Sequence, residues 1–362
     1  MRHLQLSDHQ NIGTKNGNIA LDCSIRQTRH TNIFVISTVD FFFPLVPSPY
    51  VQGRIGAANV LSDLYATGVT QCDNVLLLVA ACTKMTESER FICTKEMIRG
   101  FQYTCEKEAN TTITGGQTVL NPWPIIGGIA TSIVKGNEFI RTDQAQIGDV
   151  LILTKPLGTQ IAVNVHQWKT ESTADHNHNN TIHPLWKKCI EKNIFQKEDR
   201  DDAADEMMHQ AIVYMVRLNK NAASLMIKYG ATACTDVTGF GILGHCQNLL
   251  ENQQNSHNNM QMMIHTLPCI KNTMQINDTI FNFQLRTGYS AETSGGLLIC
   301  MSPTNAIEYC KELQQLSEQQ ETCWIIGNVV EYCCTTVSSS SSDSTTTTSK
   351  AMIHPDCQII EV

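Results

Sequence analysis

Residues 33–43 (IFVISTVDFFF) form a β-branched and aromatic run that predicts a buried strand. Residues 53–68 predict a helix, with Leu61 and Leu64 on its apolar face and Gly68 as its stop. A second buried strand is predicted over 75–82. Thr86-Glu87-Ser88-Glu89 has the form of a capping box and predicts a helix reaching about Ala109. Strands follow over 125–134 and 150–153, then one long helix over 202–229 ended by Gly230, and a late strand over 324–330. Strands and helices alternate in both halves, which predicts an α/β or α+β class. The polar stretch 141–148 marks a boundary between a domain at 1–144 and a second at 145–362. Three polar stretches, 169–181, 251–262 and 336–350, predict surface insertions. The Ser/Thr-rich one, 336–350, is expected to be disordered because it has little apolar surface to bury.

Composition narrows the function classes. The chain has 362 residues, 42% hydrophobic and 17% charged, which is ordinary globular usage. Its net charge of -8 would repel nucleic-acid phosphates, so no nucleic-acid partner is expected. A nucleotide carried on Mg²⁺ stays open, because the metal reverses the local charge. Residues 75–82, the longest apolar run, fall far short of the roughly 20 residues a membrane helix needs. Residues 1–30 lack the apolar core of a signal peptide. Fifteen cysteines without a CxxC pair or a secretory signal predict reduced thiols in the cytoplasm, with Cys333–Cys334 a weak redox candidate.

Four segments carry candidate chemistry. Asp40 closes the first strand, where ligands of open sheets sit, although a turn-forming Asp would look the same. Asn59 and Asp63 lie four apart on one face of a helix rich in small residues, and their oxygens suit Mg²⁺; a solvated polar face is the alternative. Thr114-Gly115-Gly116-Gln117-Thr118 exposes backbone N–H groups in the manner of an anion nest, or simply turns the chain. Asp236, in Thr235-Asp236-Val237-Thr238-Gly239-Phe240-Gly241-Ile242-Leu243-Gly244-His245, ends a short strand before a helix and is a candidate metal ligand. His245 suits a base or a structural role. Glu292-Thr293-Ser294-Gly295-Gly296 is a similar polar turn before a strand, and His176 with His178 is a remote zinc candidate. Together the parts imply magnesium-dependent phosphoryl transfer.

With these residues in view, the chain resembles the selenophosphate synthetase (selenide, water dikinase) family in its animal-type branch, from about Asn18 to Val362. The signatures are GRIGAANVLSDLYATGVT, TGGQTVLNPWPIIGG, LTKPLGTQIAVNVHQW, TDVTGFGILGH and ETSGGLLIC. The resemblance implies the two-domain aminoimidazole ribonucleotide synthetase-like fold. It also implies a homodimer formed through the N-terminal domain, active sites where two subunits meet, and conversion of ATP, selenide and water to selenophosphate, phosphate and AMP. By the same resemblance Asp22, Asp63 and Asp236 bind Mg²⁺, and Asp22, Asp40, Asp63, Gly115, Gly116, Gln117 and Thr118 contact ATP. Thiamine monophosphate kinase-like activity and an ATP-binding paralogue without synthesis are the rival readings.

Several positions depart from the family pattern. Val39 replaces a Thr, and Pro47-Ser48-Pro49 stands where the family has an acidic pair before Pro. The family's Cys or selenocysteine, followed three residues on by Lys, has no counterpart: Cys23 directly follows Asp22, and Lys15 precedes it by seven. The catalytic pair is therefore unassigned. The expectation is a reading frame that continues upstream of Met1 through a UGA or Cys codon with a Lys codon three positions later.

Overall fold

The computed structural model describes residues 23–173, 182–195, 200–253, 259–316, 321–331 and 350–362. Asp22, His176, His178, Cys333, Cys334 and residues 336–349 lie outside these, so the expectations placed on them do too. The first half builds one sheet from β1 (Ser24–Gln27), β2 (Ile33–Phe42), β3 (Asn74–Cys82), β4 (Ile113–Asn121) and β5 (Ile125–Lys135), in the order β1-β2-β5-β3-β4. The second half builds a six-stranded sheet from β6 (Val150–Leu153), β7 (Ala233–Asp236), β8 (Met260–Cys269), β9 (Leu297–Met301), β10 (Trp324–Glu331) and β11 (Lys350–Glu361), in the order β11-β8-β10-β6-β9-β7.

Between the halves runs α1 (Pro49–Ala66). Ser48 caps it and Pro49 opens it, so it starts four residues earlier than the apolar pattern predicted; Gly68, at φ 80°, follows its end. Small residues Gly56, Ala57 and Ala58 let its neighbours approach on all sides, and it is buried from Ile55 to Ala66. Val60, Leu61 and Leu64 share a core with Ile152, Leu297 and Ile299 of the second sheet, while Ile55 joins the other core with Leu151 and Leu298. A helix buried all round has no single apolar stripe for sequence periodicity to detect.

The Thr86 capping box is present: Thr86 N–H donates to Glu89 Oε2 (2.9 Å), and Glu89 N–H donates back to Thr86 Oγ1. It opens α2 (Glu87–Tyr103), which continues into a π-helical turn over Thr104–Ala109. The other helices are α3 (Thr159–Thr173), α4 (Pro184–Glu191), α5 (Arg200–Val216), α6 (Lys220–Met226), α7 (Gly241–Glu251), α8 (Thr273–Thr279) and α9 (Pro303–Leu316). The single helix expected over 202–229 is therefore two. It breaks at 217–219, where Lys155 Nζ takes the Arg217 carbonyl (2.7 Å) and the Asn219 amide is drawn inward to Ser62 Oγ (3.0 Å) and the Gly295 carbonyl (2.8 Å). Tertiary hydrogen bonds outcompete the helical ones there.

Candidate functional site

Strand alternation sorts the residues of β2. Val39 and Phe41 face out and are exposed, whereas Thr38 and Asp40 face α1. The Thr38 hydroxyl donates to Asp63 Oδ2, and Asn59 Nδ2 donates to Asp40 Oδ2 (3.0 Å). Asn59 and Asp63 thus share the face that their four-residue spacing predicted. The side-chain carbonyl of Asn59 also accepts from Ser294 N–H (2.9 Å), which ties the first sheet to the second half of the chain.

Asp236, the last residue of β7, joins the same junction. Its Oδ2 accepts from Ser62 Oγ (2.8 Å) and Thr238 Oγ1 (2.7 Å), and Thr238 Oγ1 accepts in turn from Gly295 N–H (3.2 Å). Asp40, Asp63 and Asp236 are therefore brought to one junction by β2, α1 and β7. His245 is spent on structure: its Nε2 lies 2.7 Å from the Thr238 carbonyl and it is buried within the turn it follows.

Behind these groups lies a layer whose role sequence reasoning did not assign. Lys155 is buried, and its Nζ donates to the carbonyls of Arg217 (2.7 Å) and Ser294 (2.8 Å). Burial pushes its ammonium well below the ordinary lysine range, with the Arg217 charge adding to the effect. Glu292 is buried and accepts from Gly158 N–H (2.7 Å), Thr159 N–H (2.9 Å) and the Thr159 hydroxyl at the start of α3. Burial raises its carboxyl to about 7, against the pull of these hydrogen bonds. A Cβ at Gly295 would sit 1.8 Å from the Val237 carbonyl oxygen, so only glycine lets the two turns meet. The available signal was the motif pair LTKPLG and ETSGG, whose partners are far apart in sequence.

Gly115–Thr118 are placed differently. They form part of β4, an exposed edge strand, rather than a turn or nest. Gly116 (φ 151°) is required by close pairing, since a Cβ there would lie 1.9 Å from the Leu77 carbonyl oxygen. Asp40 pairs with Gly128, Gly128 with Leu77, and Leu77 with Gly116, so three inter-strand steps separate Asp40 from Gly116. At the usual strand spacing that is about 14 Å. Within one chain the glycine segment and the strand that carries Asp40 therefore have β5 and β3 between them. A cavity of ≈ 510 Å³ lined by Arg54, Glu108, Arg217, Lys220 and Glu321 includes none of these residues.

The donor set suits a hard divalent cation: Asp63 and Asp236 offer carboxylate oxygens beside the Asn59 amide, with Gly-bounded turns around them. Among the described residues no group of three or more His, Cys, Asp or Glu is gathered closely enough to hold a metal ion.

Comparison with known proteins places the chain. Residues 22–134 match the AIR synthase related protein N-terminal domain and residues 146–337 match its C-terminal domain. A selenide, water dikinase of Dictyostelium discoideum is 48% identical over 316 residues, covering 86% of this chain and 80% of that relative. The chain belongs to the selenide, water dikinase family. Selenide, water dikinase 2 of Homo sapiens is 45% identical, covering 86% of this chain and 65% of its own length. The relative from Trypanosoma brucei brucei is 42% identical over 330 residues, covering 89% of this chain and 79% of its own. Among solved structures, thiamine monophosphate kinase from Aquifex aeolicus superposes with a TM-score of 0.56 at 14% identity, covering 91% of this chain and 89% of that one. Hydrogenase maturation protein HypE in complex with ATP superposes at 0.57 and 11% identity, covering 84% and 78%. These two neighbours share the family's AIR synthase-like fold. Among the described residues no helix is long and apolar enough to cross a membrane.

Proposed function

We propose that the chain, an ATP-dependent selenide, water dikinase by family, makes selenophosphate from ATP, selenide and water at a composite cleft, releasing phosphate and AMP. In this cleft the Asp40–Asp63–Asp236 junction of one copy faces the 114–118 strand of a second. The observation that carries the reading is the convergence of three aspartates from β2, α1 and β7 on a hydrogen-bonded junction between two sheets. Asp63 and Asp236, with Asp22, would hold Mg²⁺, which neutralises polyphosphate charge when bound. Thr38, Ser62 and Thr238 fix the rotamers of Asp63 and Asp236, so the carboxylates need not reorganise on binding. Asn59 holds Asp40 to the Ser294 turn, so the nucleotide-contacting carboxylate and the second half of the chain move as one body. The glycines of 114–118 leave backbone N–H groups open to phosphate oxygens.

Two features support a dimer. The outer face of the first sheet carries exposed Val39, Phe41 and Ile133, apolar side chains that a second copy would cover. The strand 114–118 also stands three inter-strand steps from Asp40 of its own chain, a gap that a second copy would close. The free thiols of the described cysteines support a cytoplasmic setting.

Phosphorus NMR on the protein with ATP, selenide and Mg²⁺ tests the reaction: selenophosphate and AMP should appear together, and accumulation of ADP without selenophosphate would overturn it. Titration calorimetry on Asp63→Asn should show Mg-ATP affinity reduced at least tenfold with the fold intact; unchanged affinity would remove Asp63 from the site.

A further inference from the structure

Asn219 stands at the break between α5 and α6 and is buried. An Asn directly before a helix usually caps it, its side-chain oxygen accepting from a backbone N–H of the first turn. Asn219 makes no such bond to α6. Its side chain reaches across the seam instead, where Nδ2 donates to Ser62 Oγ (3.0 Å) and to the Gly295 carbonyl (2.8 Å). Flanking residues pin it there: Arg217 Nη2 donates to the Thr154 carbonyl (2.8 Å), and Lys220 Nζ to the Ala109 carbonyl (2.8 Å). The Gly295 carbonyl can only accept, so chemistry requires the amide nitrogen, not its oxygen, at this position. That nitrogen gives its second proton to Ser62 Oγ. A serine hydroxyl has one proton of its own, and with Nδ2 already donating to the oxygen that proton is directed to Asp236 Oδ2 (2.8 Å). Thr238 is set in the same way: its Oγ1 accepts from Gly295 N–H (3.2 Å), so its proton goes to the same Asp236 oxygen (2.7 Å). Both hydroxyls end on Oδ2, which leaves Oδ1 as the oxygen for a cation.

We propose that Asn219 is a positioning residue for the reaction: by fixing the direction of the Ser62 hydrogen bond, it holds Asp236 preoriented as a Mg²⁺ ligand. This rests on the reading of Asp236 as a Mg²⁺ ligand. Asn219 itself touches neither metal nor nucleotide in this account; it acts through Ser62. Without the amide, the Ser62 hydroxyl is free to turn to other acceptors, and Asp236 loses the donor that fixes it from the α1 side. Asn219→Asp goes further. The new carboxylate offers only acceptors, so it competes with Asp236 for the single Ser62 proton and repels the Gly295 carbonyl.

Titration calorimetry of Mg-ATP on the full chain tests this through a double-mutant cycle of Asn219→Ala and Ser62→Ala, with Asp236→Asn as control. Each single variant should weaken Mg-ATP binding at least fivefold, and Asn219→Asp at least as much as Asn219→Ala. In the Ser62→Ala background, Asn219→Ala should add less than a twofold further loss, because its route to Asp236 is already gone. It should still lower the melting temperature there, through the orphaned Gly295 carbonyl. Equal fold losses of affinity in both backgrounds would overturn the proposal and mark Asn219 as a general prop of the seam. Where the alanine variant melts too low for calorimetry, Asn219→Ser, which keeps a polar group but is too short to span both acceptors, takes its place in the cycle. Unchanged affinity in Asp236→Asn would remove the metal-ligand reading and this proposal with it. Reduced affinity in Asp236→Asn beside unchanged affinity in Asn219→Ala would overturn this proposal alone.

Discussion

Two Gly-Gly segments look alike in the sequence, Thr114-Gly115-Gly116-Gln117 and Thr293-Ser294-Gly295-Gly296, and the fold uses them in opposite ways. The second is buried at the seam of the two halves. There Ser294 N–H meets Asn59, Gly295 N–H meets Thr238, and Gly296 lies so close to Lys155 that a Cβ would fall 2.4 Å from its backbone nitrogen. The first lies on the open edge of a sheet, where a Cβ at Gly115 would meet only a Leu76 methyl at 3.5 Å. The glycines of the seam are required by packing within one chain. On the edge strand, backbone pairing demands Gly116, while Gly115 is left for something outside the chain to explain.

Substitution separates the two most sharply. Gly295→Ala should cost about 2–4 kcal/mol, because the Val237 carbonyl cannot yield without disturbing Asp236. Gly115→Ala should stay within about 0.5 kcal/mol in stability, yet weaken Mg-ATP binding. Denaturant melts of both variants check this, and equal losses would erase the distinction.

The buried segment should also carry a pH signature that the exposed one lacks. Glu292 titrates near 7 in the folded protein, above its unfolded value. The folded state therefore binds the extra proton, and this contribution is fully present below the unfolded pKa, near 4.5. It is lost as pH rises through about 7, by about 3 kcal/mol in total. Glu292→Gln should flatten stability against pH between 5 and 8; a slope as steep as in the wild type would show that another group titrates there.

The smallest effect on stability is expected on the outer face beside the edge strand. Phe41→Lys should change the monomer's melting by less than about 1 kcal/mol, since Phe41 is 60% exposed, while abolishing dimers in sedimentation at micromolar concentration. Dimers that persist would place the interface elsewhere.

How much of this was legible in the sequence depended on whether the determinant was local. The capping box at Thr86, the stop at Gly68 and the pairing of Asn59 with Asp63 on one face need only nearest-turn chemistry, and all three are present. The break at Arg217–Asn219 was invisible because Lys155, Ser62 and Gly295, which cause it, are distant in the chain. Glu292 was seen as a polar turn residue, but its link to the start of α3 spans more than a hundred positions. Gly115–Gly116 were read as a nest because a Gly-Gly pair suits a turn; pairing with Leu76 and Leu77 makes them strand. Asp236 ends β7 as its pattern predicted, whereas Asp40 lies inside β2, which runs on to Phe42, and the meeting of the two appears only in three dimensions.

The central claim is that the glycine strand of one copy completes the aspartate junction of another. Co-expression of two differently tagged variants tests it, Asp63→Asn to disable the junction and Gln117→Glu to place a repelling charge on the exposed strand. Each variant alone should show Mg-ATP affinity reduced at least tenfold. In the statistical mixture, half the dimers are mixed and each holds one intact site, so calorimetry should recover roughly a quarter of the wild-type tight sites. A mixture that recovers none, while tag purification shows that mixed dimers are present, would contradict the account and place both segments in a site built by a single chain.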